Sequence, residues 1–305
     1  LDGRDLLVTT TLLKGSARKK RYPDQRYGYA GDRLDARLLH FEKSEGRLLI
    51  TLPGQRERVV AASFDVAATA EGGGWIAIDE LLNDERSFFG LDGFSMELGI
   101  GKYLPEGSAL KEIRTFPNSV VVRFVKGYMS ENFIPDPGVS PEPTRWEYGV
   151  SLRLLDRLPM RGREEDPRVG YFTVGAAGAE PLSDPRRYVT RWRLEPRPED
   201  TAAYLRGELT DPVRPITMYM DPNMPETWRE PVKRGILSWN RAFEKAGFRE
   251  VIRVEDFPKD DPAFNPYGIN TSCVWYAPSN IENAEGHFWT DPRTGEIRGA
   301  TMVLH

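Results

Sequence analysis

One cysteine, Cys273, stands in 305 residues. That excludes an intrachain disulfide framework and a cysteine-rich zinc site. Histidine is nearly as scarce. His40, His287 and His305 are the full set, and no two have the spacing of metal ligands on one helix face. No stretch reaches the roughly 18 consecutive apolar residues that cross a bilayer as a helix. The longest candidate, residues 6–13, is broken by three threonines and reads as a strand. A basic excess is also missing. The formal net charge is −4, which argues against nucleic acid, because phosphate binding needs clustered cations. The one basic run, Arg18-Lys19-Lys20-Arg21, has no aromatic pattern beside it and reads as a solvated loop. No Gly-x-Ser-x-Gly elbow supports a serine hydrolase. Gly99-Ile-Gly101 and Gly72-Gly-Gly74 lack the remaining features of phosphate loops. The acidic pairs Glu164-Glu165 and Asp260-Asp261 lack the alternating oxygen ligands of a calcium loop and read as solvated turns.

What is present is an ordinary globular balance, with 39% hydrophobic and 29% charged residues. The length suits about two domains. Residues 1–195 read as β-rich. Short alternating or apolar runs recur at 6–13, 34–42, 47–52, 119–124, 148–155, 170–174 and 188–194, separated by glycine and proline signals. This predicts an antiparallel assembly, a sandwich or an open barrel, with one hint of a short helix at 78–82. The stretch 196–214, opened by Glu195-Pro-Arg-Pro-Glu199, reads as a linker.

From Pro215 the pattern changes. Residues 216–220 form a buried-strand candidate. Val232, Ile236, Trp239 and Phe243 then recur at helical spacing, predicting a helix over 230–246 with all four on its buried face. Pro231 would occupy its first turn, and Gly247 would cap its C-terminus. Strands are expected at 251–254 and 272–276. A hairpin is expected about Asp291-Pro-Arg-Thr-Gly-Glu296. The fold class is α+β: a β-rich antiparallel domain, then a mixed sheet with one packed helix. The chain begins at Leu1 rather than Met, so an upstream stretch is expected to precede it, and it ends in an apolar run after the hairpin, so a further element is expected next.

Asp166-Pro-Arg-Val-Gly-Tyr-Phe172, Leu158-Pro-Met160 and Arg191-Trp-Arg-Leu-Glu-Pro196 resemble the junction segment of bacterial secreted zinc-dependent metalloproteases of the metzincin-like type. Pro215-Ile-Thr-Met-Tyr-Met-Asp221, Trp239-Asn-Arg-Ala-Phe-Glu-Lys-Ala-Gly-Phe248 and Asp291-Pro-Arg-Thr-Gly-Glu296 resemble the opening of their catalytic domain. The resemblance is densest over 146–305. It implies a zinc endopeptidase whose metal-bound water hydrolyses peptide bonds, located in the secreted, periplasmic or cell-surface space. Residues 215–305 would be the upper, N-terminal part of a zincin-like catalytic domain.

In that family a His-Glu-x-x-His helix and a third histidine hold the zinc. This sequence contains none of them. The resemblance therefore implies zinc in the parent protein, no zinc bound by this chain alone, and a downstream catalytic segment as partner. No catalytic or metal-ligating residue is assigned here. The resemblance does map the strand that pairs with peptide substrate onto Gly286, His287, Phe288 and Trp289, through backbone strand addition. The alternative is a non-catalytic cell-surface module binding protein or glycan, with Trp75, Phe88, Phe89 and Trp146 as contact candidates.

Overall fold

The computed structural model describes residues 3–14, 28–53, 59–70, 73–76, 90–131, 140–175, 186–278 and 283–305. The basic run at 18–21, the helix expected at 78–82, Phe88 and Phe89 lie outside these, as does the side chain of Trp75. The fold is α+β and dominated by strands. It divides into two compact units. One comprises mainly residues 1–159; the other comprises 160–174, 188–278 and 282–305.

The first unit holds a single eight-stranded antiparallel sheet built from β1 (Arg4–Lys14), β2 (Arg33–Ser44), β3 (Arg47–Leu52), β4 (Val59–Ala70), β5 (Gly73–Ile76), β6 (Ile100–Phe116), β7 (Ser119–Ser130) and β8 (Pro143–Leu154). Their order in space is β5-β4-β3-β2-β1-β8-β7-β6. The sequence anticipated antiparallel pairing in a sandwich or open barrel; the strands form one continuous antiparallel sheet and not the two packed sheets of a sandwich. One face packs Leu6, Val8, Leu39, Phe41, Val122, Phe124, Tyr148 and Val150 into a core. These positions alternate along their strands, as a period of two requires. Trp146 is 7% exposed and belongs to this core, so it is not available as a surface contact.

In the second unit β11 (Ile216–Met220), β12 (Ile252–Asp256), β13 (Ser272–Tyr276), β14 (Ala284–Asp291) and β15 (Glu296–Leu304) form a mixed sheet in the order β12-β11-β13-β15-β14. All neighbours run parallel except β14, which is antiparallel to β15. Two short strands, β9 (Thr173–Gly175) and β10 (Arg187–Val189), pair separately.

The expected single helix is two. One spans Glu226–Leu237 and the next Asn240–Glu244. The first starts four residues earlier than the pattern predicts. The Pro225 carbonyl accepts the amides of Trp228 and Arg229 at 2.9 and 3.2 Å, and this places Pro231 inside the helix. The break at Ser238-Trp239 rotates the stripe. Ile236 is 8% exposed, but Trp239 is 65% exposed, outside the core it was expected to join. Gly247 does terminate the second helix, at φ 91°. The Phe248 amide reaches back to the Phe243 carbonyl at 3.0 Å, the Schellman arrangement that a left-handed residue permits. Within 196–214, the stretch read as a linker, lie a helix, Thr201–Leu205, and Tyr204, whose ring stacks on Phe248 at 4.9 Å. Bridges join Pro196 to Pro212 and Thr210 to Phe248.

Candidate functional site: the open edge of the mixed sheet

The hairpin β14–β15 turns at Asp291-Pro-Arg-Thr-Gly-Glu296. The Asp291 side chain accepts the Arg293 amide at 3.0 Å and the Arg293 guanidinium from Nε at 3.0 Å and Nη2 at 2.8 Å. Asp291 is 1% exposed, so this fork is a sheltered, charge-assisted clamp. Gly295 closes the turn at φ 76°, and a Cβ there would stand 2.4 Å from the Val189 carbonyl oxygen. Asp166-Pro-Arg168 builds the same fork on an exposed turn, with Arg168 donating to both Asp166 oxygens.

The clamp fixes the register of β14. Gly286 stands opposite Met302, His287 opposite Thr301, Phe288 opposite Ala300 and Trp289 opposite Gly299, with an irregularity between Trp289 and Thr290. Opposed residues of an antiparallel pair point to the same side. Met302 and Leu304 pack with Ile216, Met218, Met220, Ile236 and Val274 in the second unit's core, so Gly286 and Phe288 share that side. His287 and Trp289 project from the other.

The four expected site residues therefore form one continuous strand but present two faces. Trp289 is 5% exposed, which leaves only its backbone for a guest strand. His287 is half-buried, and its Nε2 has no hydrogen-bond partner. The nearest carboxylate oxygen, on Glu285, is 3.6 Å away, beyond hydrogen-bond reach. Phe288 is 37% exposed and meets the edge of the Phe172 ring at 6.3 Å. A Cβ on Gly286 would meet only the Thr301 carbonyl oxygen, at 4.0 Å.

β14 forms one edge of the sheet, so one row of its backbone N–H and C=O groups faces away from β15. Beside it, Ala284, Gly286 and Phe288 are exposed and Met302 and Leu304 half-buried. The helix Glu226–Leu237 lies over the opposite edge strand, β12. Its Ile236 joins Met218, Met220 and Val274 in the core, and its Trp228 ring meets Tyr276 of β13 at 5.9 Å. Among the described residues of this unit, the helix-bearing face is thus covered beside β12, whereas beside β14 Ala284, Gly286 and Phe288 stay exposed.

The face bearing His287 is different. There an aromatic cluster of Tyr219, Phe257, Phe264, Tyr267 and Trp275 covers the strands, with ring centroids 4.9–5.5 Å apart. The Cys273 thiol donates to the Pro266 carbonyl beneath it, as a buried structural cysteine does. Burial pushes the Tyr219 hydroxyl above its usual range, aided by the charge of Glu255.

A hollow of about 280 Å³ lies at the start of β11, β13 and β15. In its wall the Glu296–Arg298 ion pair, 3.0 Å, is 5–6% exposed. Sequence reasoning missed this pair; acid and base at i and i+2 on a strand was the available signal.

Among the described residues no group of three or more His, Cys, Asp or Glu converges where a metal could be held. His40 lies in β2, paired with Asp5 at 2.8 Å. His287 lies in β14, and His305 follows β15. These residues do not fit the zinc that the resemblance implies, and no hydrolytic step is assigned to them. No helix among the described residues is long and apolar enough to cross a membrane.

Residues 54–197 match the model of a family described as a domain of unknown function (DUF5117). No curated protein and no solved structure matches the chain. β11–β15 lie beyond the matched stretch.

Proposed function

We propose that this chain is part of a secreted zinc-dependent endopeptidase, in which it supplies the β-rich region and the edge strand of the substrate cleft while another segment supplies the metal ligands. One observation carries the reading. β14 is an antiparallel edge strand on a mixed sheet, and the sheet face beside it is left open by the helix. An extended peptide laid on that edge gains main-chain hydrogen bonds with little dependence on its sequence, which is what a protease needs from a cleft. The open strip of Met302, Leu304 and Phe288 leaves apolar area for a further helix to bury. The roles of Gly286, His287, Phe288 and Trp289 are accordingly backbone pairing, with the Phe288 ring as one wall.

Two measurements test this. The reading frame that encodes the chain is expected to include a His-Glu-x-x-His segment downstream, and its product should cleave casein in a manner abolished by a zinc chelator. In that product Gly286→Val should keep the melting temperature, because the site has room for the side chain, and raise KM for peptides roughly tenfold by obstructing the approach of a second backbone. Chelator-resistant cleavage, no cleavage, or an unchanged KM in the variant would each defeat the reading.

A further inference from the structure

Two stretches remote in sequence run side by side in the second unit. The Val189 amide donates to the Arg163 carbonyl at 2.8 Å, Glu164 and Tyr188 form an antiparallel bridge, and Arg191 Nη2 donates to the Arg161 carbonyl at 2.8 Å. A Cβ on Gly162 would come within 2.9 Å of the Tyr188 ring, so glycine lets the two stretches close on each other. Between them lies an open hollow of about 710 Å³ lined by Arg161, Gly162, Arg163, Glu164, Tyr188 and Arg191.

Three arginines, Arg161, Arg163 and Arg191, line this hollow, and among the described residues none of them makes an ion pair. Arg161 and Arg163 are exposed, whereas Arg191 is half-buried and its Nε is sealed from solvent without a hydrogen-bond partner. Burial disfavours the charge on Arg191, and repulsion from Arg163 adds to this against the attraction of Glu296 and Glu195. Glu164, the carboxylate in the lining, does not come within ion-pair distance of the three. Gathering like charges and leaving a donor unsatisfied costs free energy in the empty state. An anion with several acceptor oxygens reverses the first of these costs, bonded by the guanidinium N–H groups that solvent can reach, the sealed Arg191 Nε excepted. Guanidinium, planar and forked, matches tetrahedral oxyanions better than an ammonium does.

We propose that this hollow binds a doubly charged oxyanion, a phosphate or sulfate group, with Arg161, Arg163 and Arg191 as donors. The group is either the free inorganic ion or an ester on a small molecule such as a sugar. The site is separate from the β14 edge and stands independently of the protease reading.

Isothermal calorimetry on the intact 305-residue chain tests it. Sodium phosphate, sodium sulfate, glucose 6-phosphate and glucose 6-sulfate are titrated at constant ionic strength, with sodium chloride as control. Binding of at least one oxyanion above the chloride control is expected. Arg163→Gln and Arg191→Gln should each weaken it roughly tenfold or more, the worth of a charge-assisted hydrogen bond. Arg161→Gln should weaken it while keeping the fold, because only the Arg161 carbonyl makes a structural contact. Arg168→Gln, outside the hollow and paired with Asp166, should bind as wild type. Without ligand, Arg163→Gln should melt at or above the wild-type temperature. An ester binding more tightly than its inorganic ion identifies the ester as the source, and equal affinities identify the free ion. Binding no better than chloride, or binding undiminished in both Arg161→Gln and Arg163→Gln, overturns the proposal.

Discussion

Glu296 and Arg298 open β15 as a buried ion pair, and Arg298 also donates to Asn270 at 3.2 Å. Removing one member of such a pair leaves a charge in a medium that cannot solvate it. Arg298→Ala is therefore expected to cost about 3 kcal/mol or more in urea denaturation. Gly299 next to it admits no side chain, since a Cβ would lie 2.3 Å from the Ile269 carbonyl oxygen and 2.9 Å from that of Thr271. Gly299→Ala should destabilise by about 3 kcal/mol or more, or displace that loop, as loss of its protection in hydrogen exchange would report. In the first unit Glu147, 13% exposed, joins Arg123 and Lys14. Burial pushes its carboxyl up, but the hydrogen bond from Arg123 and the charges of Lys14 and Arg123 outweigh that and hold it below its ordinary value. A carboxyl depressed in the folded state stabilises above its unfolded pKa and loses that contribution as pH falls through the folded one. Glu147→Gln should thus cost about 1 kcal/mol at pH 7, and the difference from wild type should shrink on acidification through the carboxylate range. Residues such as Arg161, Arg163 and Arg191 are illegible in a linear scan, because strand pairing across about 30 positions is what unites them.

Among elements, the strands with strong apolar alternation were readable with nearly their observed bounds. β3, β11 and β13 coincide with their sequence runs, because β-branched and aromatic residues make up three of five positions in β11 and β13 and leucine and isoleucine four of six in β3. β6 was not readable. Its 17 residues carry Pro105, Gly107 and many exposed charges, the composition of an edge strand protected from further pairing. β4 escaped for a different reason: five of its twelve residues are alanine, which signals no strand. The position of the edge strand β14 followed from its hairpin turn, whereas its division into an open and a covered face did not, since that depends on where the helix lies. The break at Ser238-Trp239 was likewise hidden, because a heptad-like stripe does not reveal a change of helix axis. It has a measurable consequence. Ile236→Ala should cost about 2–4 kcal/mol by opening a cavity, whereas Trp239→Ala should stay within about 0.5 kcal/mol of wild type, by denaturant midpoints. Equal losses would mean that Trp239 is packed after all.

At the scale of the whole molecule, two separate apolar cores imply two cooperative transitions. Leu39→Ala should shift one of them and Val274→Ala the other in calorimetry; one shared transition moved by both would show the cores to be coupled. The order of the large sheet carries a further consequence. β1, the first strand of the chain, ends up in the middle, with β2 on one side and β8 on the other. During synthesis β1 leaves the ribosome about 140 residues before β8 is complete, on the order of ten seconds at usual elongation rates. Throughout that interval a greasy ribbon with one bare flank must be kept from other nascent chains, so the yield of native protein should rise when translation is accompanied by a holding chaperone.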